Sequence, residues 1–153
     1  SSDVCSSDLA VEAFEKLTAT CSGNPKFIVP VMQTLFDSRM PEYVEGFFQK
    51  MDTTDIEPIQ FDICKFYAGF HKAGSADIVS QGTDLINKGV EDFWVYRLTI
   101  DALIEKQFKK MALEFIAKAK ALWPAKDGAW ARQEYYAQKI PDETDQEKAS
   151  EAA

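Results

Sequence analysis

Apolar residues recur along most of this chain at spacings of three and four, while strict alternation of apolar and polar residues is scarce and short. That period belongs to amphipathic helices and predicts an all-α fold. The pattern breaks at Ser22-Gly23-Asn24-Pro25, Ser38-Arg39-Met40-Pro41, Asp52 to Pro58, Gly74-Ser75, Asn87-Lys88-Gly89, Lys106-Gln107 and Pro124 to Gly128. Several breaks carry helix-terminus chemistry: Pro41 suits a first helical turn, Ser75, Asp92 and Asp127 suit N-caps, and Gly89 suits a left-handed C-cap. The intervals between breaks predict helices of roughly 11 to 15 residues, which are marginal alone in water and must pack on one another.

Sliding the chain against itself shows the same pattern three times. Ile28, Val31, Met32 and Leu35 recur as Ile63, Phe66, Tyr67 and Phe70, then as Tyr96, Thr99, Ile100 and Leu103. Val44, Phe48 and Met51 recur as Val79, Thr83 and Ile86, then as Ala112, Ile116 and Ala119. Both helices of each pair share offsets of 35 and then 33, which favours a true internal repeat. A two-helix unit cannot bury its apolar face alone, so stacked neighbours are expected, giving an α-solenoid of helix-turn-helix repeats. In this layout a partial repeat and three complete repeats occupy 10–124, a capping helix 125–141, and a disordered acidic tail 142–153.

The segment IEPIQFDICKFYAGFHKAGSADIVSQGTDLINKGVEDFWVYRLTIDALIEKQFKKMALEFI resembles pentatricopeptide repeats, whose two-helix unit is about 35 residues long. The echoes are Ile56-Glu57-Pro58 at a repeat junction, Phe70-His71-Lys72-Ala73-Gly74 at an inter-helix turn, Ile100-Asp101-Ala102-Leu103 in a first helix, and Ala112-Leu113-Glu114-Phe115 in a second. The Asp92 junction lacks the family's proline. A tetratricopeptide-like register competes, because Ala112, Ile116, Ala119 and Pro124 match that motif's small, aromatic, small and proline spacing.

The pentatricopeptide resemblance implies a right-handed superhelix that binds single-stranded RNA, with a mitochondrial or plastid address. In that family each repeat reads one base through two side chains while a third packs on the base, as unstacked bases require. Carried over, the packing slot falls on Lys26, Phe61 and Trp94, so that Phe61 and Trp94 would flank one base. The reading pairs fall on Val29 with Ile59, Cys64 with Asp92, and Arg97 with Asp127. Val29 and Ile59 offer no side-chain hydrogen bond, and neither Cys64 nor Arg97 is the small polar residue the family uses. Packing between repeats is the competing use of Phe61 and Trp94. A protein partner bound by a tetratricopeptide-like scaffold is the competing function.

Composition changes the picture at the ends. SSDVCSSDL reads codon by codon as a translated sequencing-adapter oligonucleotide, so Ser1 to Leu9 is expected to be non-native and the true N-terminus to lie upstream. Without that segment the net charge is −6, and the stretch from Asp142 holds five acids against Lys148 with no apolar residue larger than alanine. Such a composition predicts a solvated tail. Within the body, 10–95 carries a net −6 and 96–140 a net +4. Only the latter half has a field that attracts an anion. Its basic residues include Lys106, Lys109, Lys110, Lys118, Lys120 and Lys126, with Lys106, Lys109 and Lys110 as the candidate patch. A solvated helix face is the alternative use of these lysines.

Catalysis and cofactors find no support. Cys21 and Cys64 with the single His71 cannot supply four zinc ligands, so neither a metal nor any other cofactor is expected. His71 has no nucleophile-and-acid arrangement around it, and Asp101 with Glu105 reads as a helix-surface pair. No glycine-rich phosphate loop is present, and charged residues interrupt every apolar run short of membrane-spanning length. The chain is expected to be a non-catalytic binder, with no membrane association and no small-molecule substrate.

Overall fold

The computed structural model describes residues 12–13, 15–21 and 24–142. The adapter-like segment and the tail beyond Asp142 lie outside the described residues. Among those described there are helices and no strands, so the fold is all-α. The chain divides into two compact units, Ser1–His71 and Lys72–Ala153, at the turn following Phe70.

The first unit holds α1, helical over 15–21, then α2 (Ile28–Asp37), α3 (Val44–Gln49) and α4 (Pro58–Gly69). Helices α2, α3 and α4 pack on one another. Ile28, Met32, Val44, Phe47 and Tyr67 are fully buried, and Phe36 meets Tyr67 edge to face at 4.9 Å between ring centres. At only six residues α3 is shorter than its spacing predicts. A 3₁₀ turn over Pro41–Tyr43 takes the residues that would have opened it, with Pro41 in the first position. The link to α4 is closed by Asp52, whose carboxylate accepts from the Thr54 backbone N–H at 3.0 Å and from its hydroxyl at 2.6 Å.

The second unit holds α5 (Ser75–Asn87), α6 (Phe93–Glu105), α7 (Lys109–Leu122) and α8 (Asp127–Gln138). Each packs on the next, and α8 also reaches α6. The repeat pattern places Val79, Thr83 and Ile86 on the inner face of α5, but the buried residues are Gly82, Leu85 and Ile86. Gly82 explains the shift. A Cβ there would lie 1.8 Å from Thr99 Oγ1 and 2.9 Å from Thr99 Cβ, so the missing side chain lets α5 and α6 approach at this point. Ala112 and Ala119 on α7 and Ala137 on α8 are fully buried, and α7 packs on both α6 and α8.

Three helices end in the same way. The N–H groups of Met40, Val90 and Phe108 donate to the carbonyls of Leu35, Leu85 and Leu103 at 2.8, 3.1 and 2.9 Å, while Arg39, Gly89 and Gln107 hold φ of 59°, 91° and 64°. This is the Schellman arrangement, which satisfies carbonyls the helix leaves open and brings a buried leucine near the apolar residue after the turn. The expected left-handed Gly89 is joined by two side-chain-bearing residues in the same conformation. At the N-termini, Asp92 accepts from the Val95 N–H at 3.0 Å, as a cap should. Ser75 and Asp127 do not cap. Gly74 takes the cap position of α5 in extended conformation, and its carbonyl accepts from Ile78. The 3₁₀ turn Pro124–Lys126 runs straight into α8, so Asp127 is already helical.

Two stability results follow from this geometry. Gly82→Ala gains roughly 1 kcal/mol of helix propensity but overpacks the α5–α6 contact by roughly 1 to 3 kcal/mol, so urea denaturation should show a net loss of stability. Adding Thr99→Ala should recover part of it, and a Gly82→Ala variant as stable as the parent would refute the close approach. Conversely, Arg39→Gly and Gln107→Gly should each stabilise by about 0.5 to 1 kcal/mol, because glycine carries no steric penalty at positive φ. Thermal melts read by circular dichroism check the sign.

Candidate binding surface

The start of α6 gathers the chemistry that singles out the second unit. Asp92 is buried and spent on its cap, and Phe93 behind it enters a cluster of rings. Phe93 meets Trp94 at 5.2 Å, Trp130 at 5.2 Å and Trp123 at 5.9 Å, while Tyr96 meets Trp123 at 5.3 Å. Trp130 is fully buried and its indole N–H donates to the Trp123 carbonyl at 3.3 Å, which satisfies the one polar atom of its ring system. Burial pushes the Tyr96 phenol up, with the charge of Glu91 adding to it.

Trp94 lies at the rim of this cluster, half-buried, and Arg97 follows one turn later, also half-buried. The spacing of three residues puts both on one side of α6. The Arg97 carbonyl is taken by α8: buried Gln133 donates to it at 3.0 Å and to the Asp101 carboxylate at 2.7 Å. Asp101 therefore ties two helices together. Glu105, its partner in the sequence reading, is exposed on α6.

The remaining candidates scatter. Phe61 is half-buried on α4, against Phe48 at 5.8 Å, with the Lys65 ammonium 5.8 Å from its ring centre. Cys64 has no exposed surface, and burial pushes its thiol up to about 12. Neither Cys64 nor Asp92 is placed as an open base-reading residue needs to be, because the first is sealed in apolar packing and the second holds a helix end. Asp127 is exposed at the first turn of α8. Of the lysines, Lys106 and Lys110 are exposed, Lys109 pairs with Asp142 at 2.5 Å, and Lys120 pairs with Glu134 at 2.8 Å. Lys118 and Lys126 lie 5.5 and 5.6 Å from the rings of Phe115 and Phe93. His71 is an exposed turn residue beside Phe70.

No three metal-ligating side chains converge among the described residues, and no described helix is long and apolar enough to cross a membrane. An open depression of about 550 Å³ lies over α5, lined by Val79, Thr83, Asn87 and Met111 among others. Sequence reading passed over one surface altogether, the outer side of α8, where Arg132, Tyr135, Tyr136 and Lys139 are all exposed. Its signal was available as aromatic and basic residues three and four apart. Comparison with family models, with curated proteins and with solved structures finds no significant match.

Burial makes Cys64 a pH-dependent element of stability. Its unfolded thiol ionises near 9.0 and its native thiol near 12, so the neutral buried form favours folding fully below pH 9. Between those values the unfolded chain loses a proton that the native chain keeps, and stability falls as pH rises. At pH 8 the native thiol should resist N-ethylmaleimide while the urea-unfolded chain reacts at once. Peptide mapping that finds Cys64 labelled equally in both states would refute this burial.

Proposed function

We propose that the chain is a non-catalytic helical-repeat scaffold of pentatricopeptide type that holds single-stranded RNA, acting in a mitochondrion or plastid. The observation that carries this reading is Trp94 at the rim of the aromatic cluster with Arg97 one turn beyond it, where the stretch 96–140 of net charge +4 begins. An aromatic edge beside a guanidinium supplies what an unpaired nucleotide needs: a flat apolar surface for the base and a fixed charge for the phosphate. The exposed Lys106 and Lys110 add to that field. The register itself is supported by the sequence alone, where apolar positions recur at offsets of 35 and then 33.

A second reading is favoured by one specific observation. Cys64 and Asp92 are both buried, which removes a reading pair, and a tetratricopeptide-like scaffold for a protein partner needs no such pair. On either reading the work is binding, and the second unit carries it.

The two readings separate by titration. The chain should retard a single-stranded RNA oligonucleotide in low salt, with log affinity falling linearly against log salt as phosphates are neutralised. Trp94→Ala should weaken binding by roughly 5- to 150-fold, the equivalent of about 1 to 3 kcal/mol for one stacked base, and Trp94→Phe should retain most of it. Lys106→Gln with Lys110→Gln should reduce the salt slope by about 1.4, at roughly 0.7 per phosphate contact. No retardation at low salt would remove RNA as the ligand and leave the protein scaffold.

A further inference from the structure

Helix α8 buries Trp130, Gln133 and Ala137 against its own unit, so its inner face is fully used. The opposite face is exposed among the described residues, yet it carries large side chains. Tyr135 is 57% exposed and Tyr136 48%, and together with Phe27 of the first unit they are the exposed large hydrophobic residues among those described. Placing two aromatic rings in water forgoes burial that other positions in this chain exploit. Scattered singly such residues need no explanation, but here they are adjacent, edge to face with ring centres 5.4 Å apart.

The cations around them are arranged with equal economy. Arg132 precedes Tyr135 by three residues and Tyr136 by four, and Lys139 follows them by three and four, so all four share one side of the helix. The Lys139 ammonium lies 4.3 Å from the Tyr135 ring centre, a cation–π contact that presents charge and ring together. Among the described residues, the carboxylates nearest this face are engaged or lie on another flank. Glu134 points to α7, where Lys120 holds it at 2.8 Å. Asp142, beyond the end of α8, is paired with Lys109. Asp127 lies in the first turn, toward the opposite flank from Tyr136.

We infer that this outer face of α8 is a second contact for single-stranded nucleic acid, in which Tyr135 and Tyr136 stack on unpaired bases while Arg132 and Lys139 hold the flanking phosphates. The inference rests on the proposed RNA reading and extends it to a surface that the repeat register does not assign. Charge decides between occupants. A helix docking from a protein partner would need an aliphatic stripe, and the exposed positions 131, 132, 135, 136, 138 and 139 offer alanine, arginine, tyrosine, glutamine and lysine but no leucine, isoleucine, valine or methionine. Two exposed rings between two cations match a polyanion that carries its own flat faces. The span from Arg132 to Lys139 is seven residues, about 10 Å along the axis, room for a short run of the strand rather than a single group.

The experiment uses the full chain and a fluorescein-labelled oligouridylate, read by anisotropy across a salt series. The combined Tyr135→Ser and Tyr136→Ser variant should bind at least fivefold more weakly, while Tyr135→Phe with Tyr136→Phe should bind as the parent does, because stacking needs the ring and not the hydroxyl. Arg132→Gln with Lys139→Gln should lower the salt slope by about 1.4. All three are surface changes, and their unchanged melting by circular dichroism separates lost contact from lost fold. If the parent binds and the serine variant binds equally well, this contact is refuted and the Trp94 surface stands alone. If those substitutions alter self-association or capture of a protein but leave RNA affinity intact, the face is a protein interface and the inference is equally refuted. If the parent itself binds no RNA at any salt, the underlying reading fails first.

Discussion

Helices of 6 to 14 residues hold their shape here by what they bury, not by their own backbone hydrogen bonds. In the second unit that constraint concentrates on Trp130. Its ring is fully enclosed between Phe93 of α6 and Trp123 after α7, so three helices share one buried group. Gln133, one turn later on α8, donates to α6 at two points. Hydrophobic area holds α8 in place, and the amide sets where along α6 it sits, because a buried donor must find its acceptor.

The candidate surfaces follow from that arrangement. Trp94 sits half-buried at the rim while Phe93 beside it meets Trp123 and Trp130, because successive helical residues point about 100° apart. Tyr135 and Tyr136 are displayed because Trp130, Gln133 and Ala137 occupy the inner side of the same helix. A single core thus orients both candidate surfaces, one on α6 and one on α8. The lysines between them are partly spent on Glu134 and Asp142. The cationic field is accordingly weaker than the count of basic residues suggests, since paired exposed charges are already compensated.

Glycine and the left-handed residues show how local and tertiary requirements share the work. Gly89 ends α5 because a positive φ is easiest without a side chain, whereas Arg39 and Gln107 end α2 and α6 in the same conformation at some steric expense. Those two turns are closed by the backbone N–H groups of Met40 and Phe108, which donate to the Leu35 and Leu103 carbonyls. Gly82 serves the other purpose: it sits mid-helix, where propensity argues against it, because α6 has to come close.

Much of the helical order was legible in one dimension. Spacings of three and four located the helices, proline and glycine located the turns, and Asp92 announced its cap, since all of these depend on residues within a few positions of one another. The first-helix faces Ile28/Met32/Leu35, Ile63/Phe66/Tyr67 and Tyr96/Ile100/Leu103 are buried for the same reason: a regular helix turns its period directly into a face. What needed the tertiary structure were choices between equivalent neighbours. Periodicity could not tell that Gly82 rather than Val79 meets α6, that Cys64 is sealed off, or that the capping role expected of Ser75 and Asp127 is lost to residues just before them. The first two depend on how closely one helix approaches another, a distance that no spacing along the chain encodes, and the caps depend on where the preceding turn hands over to the helix.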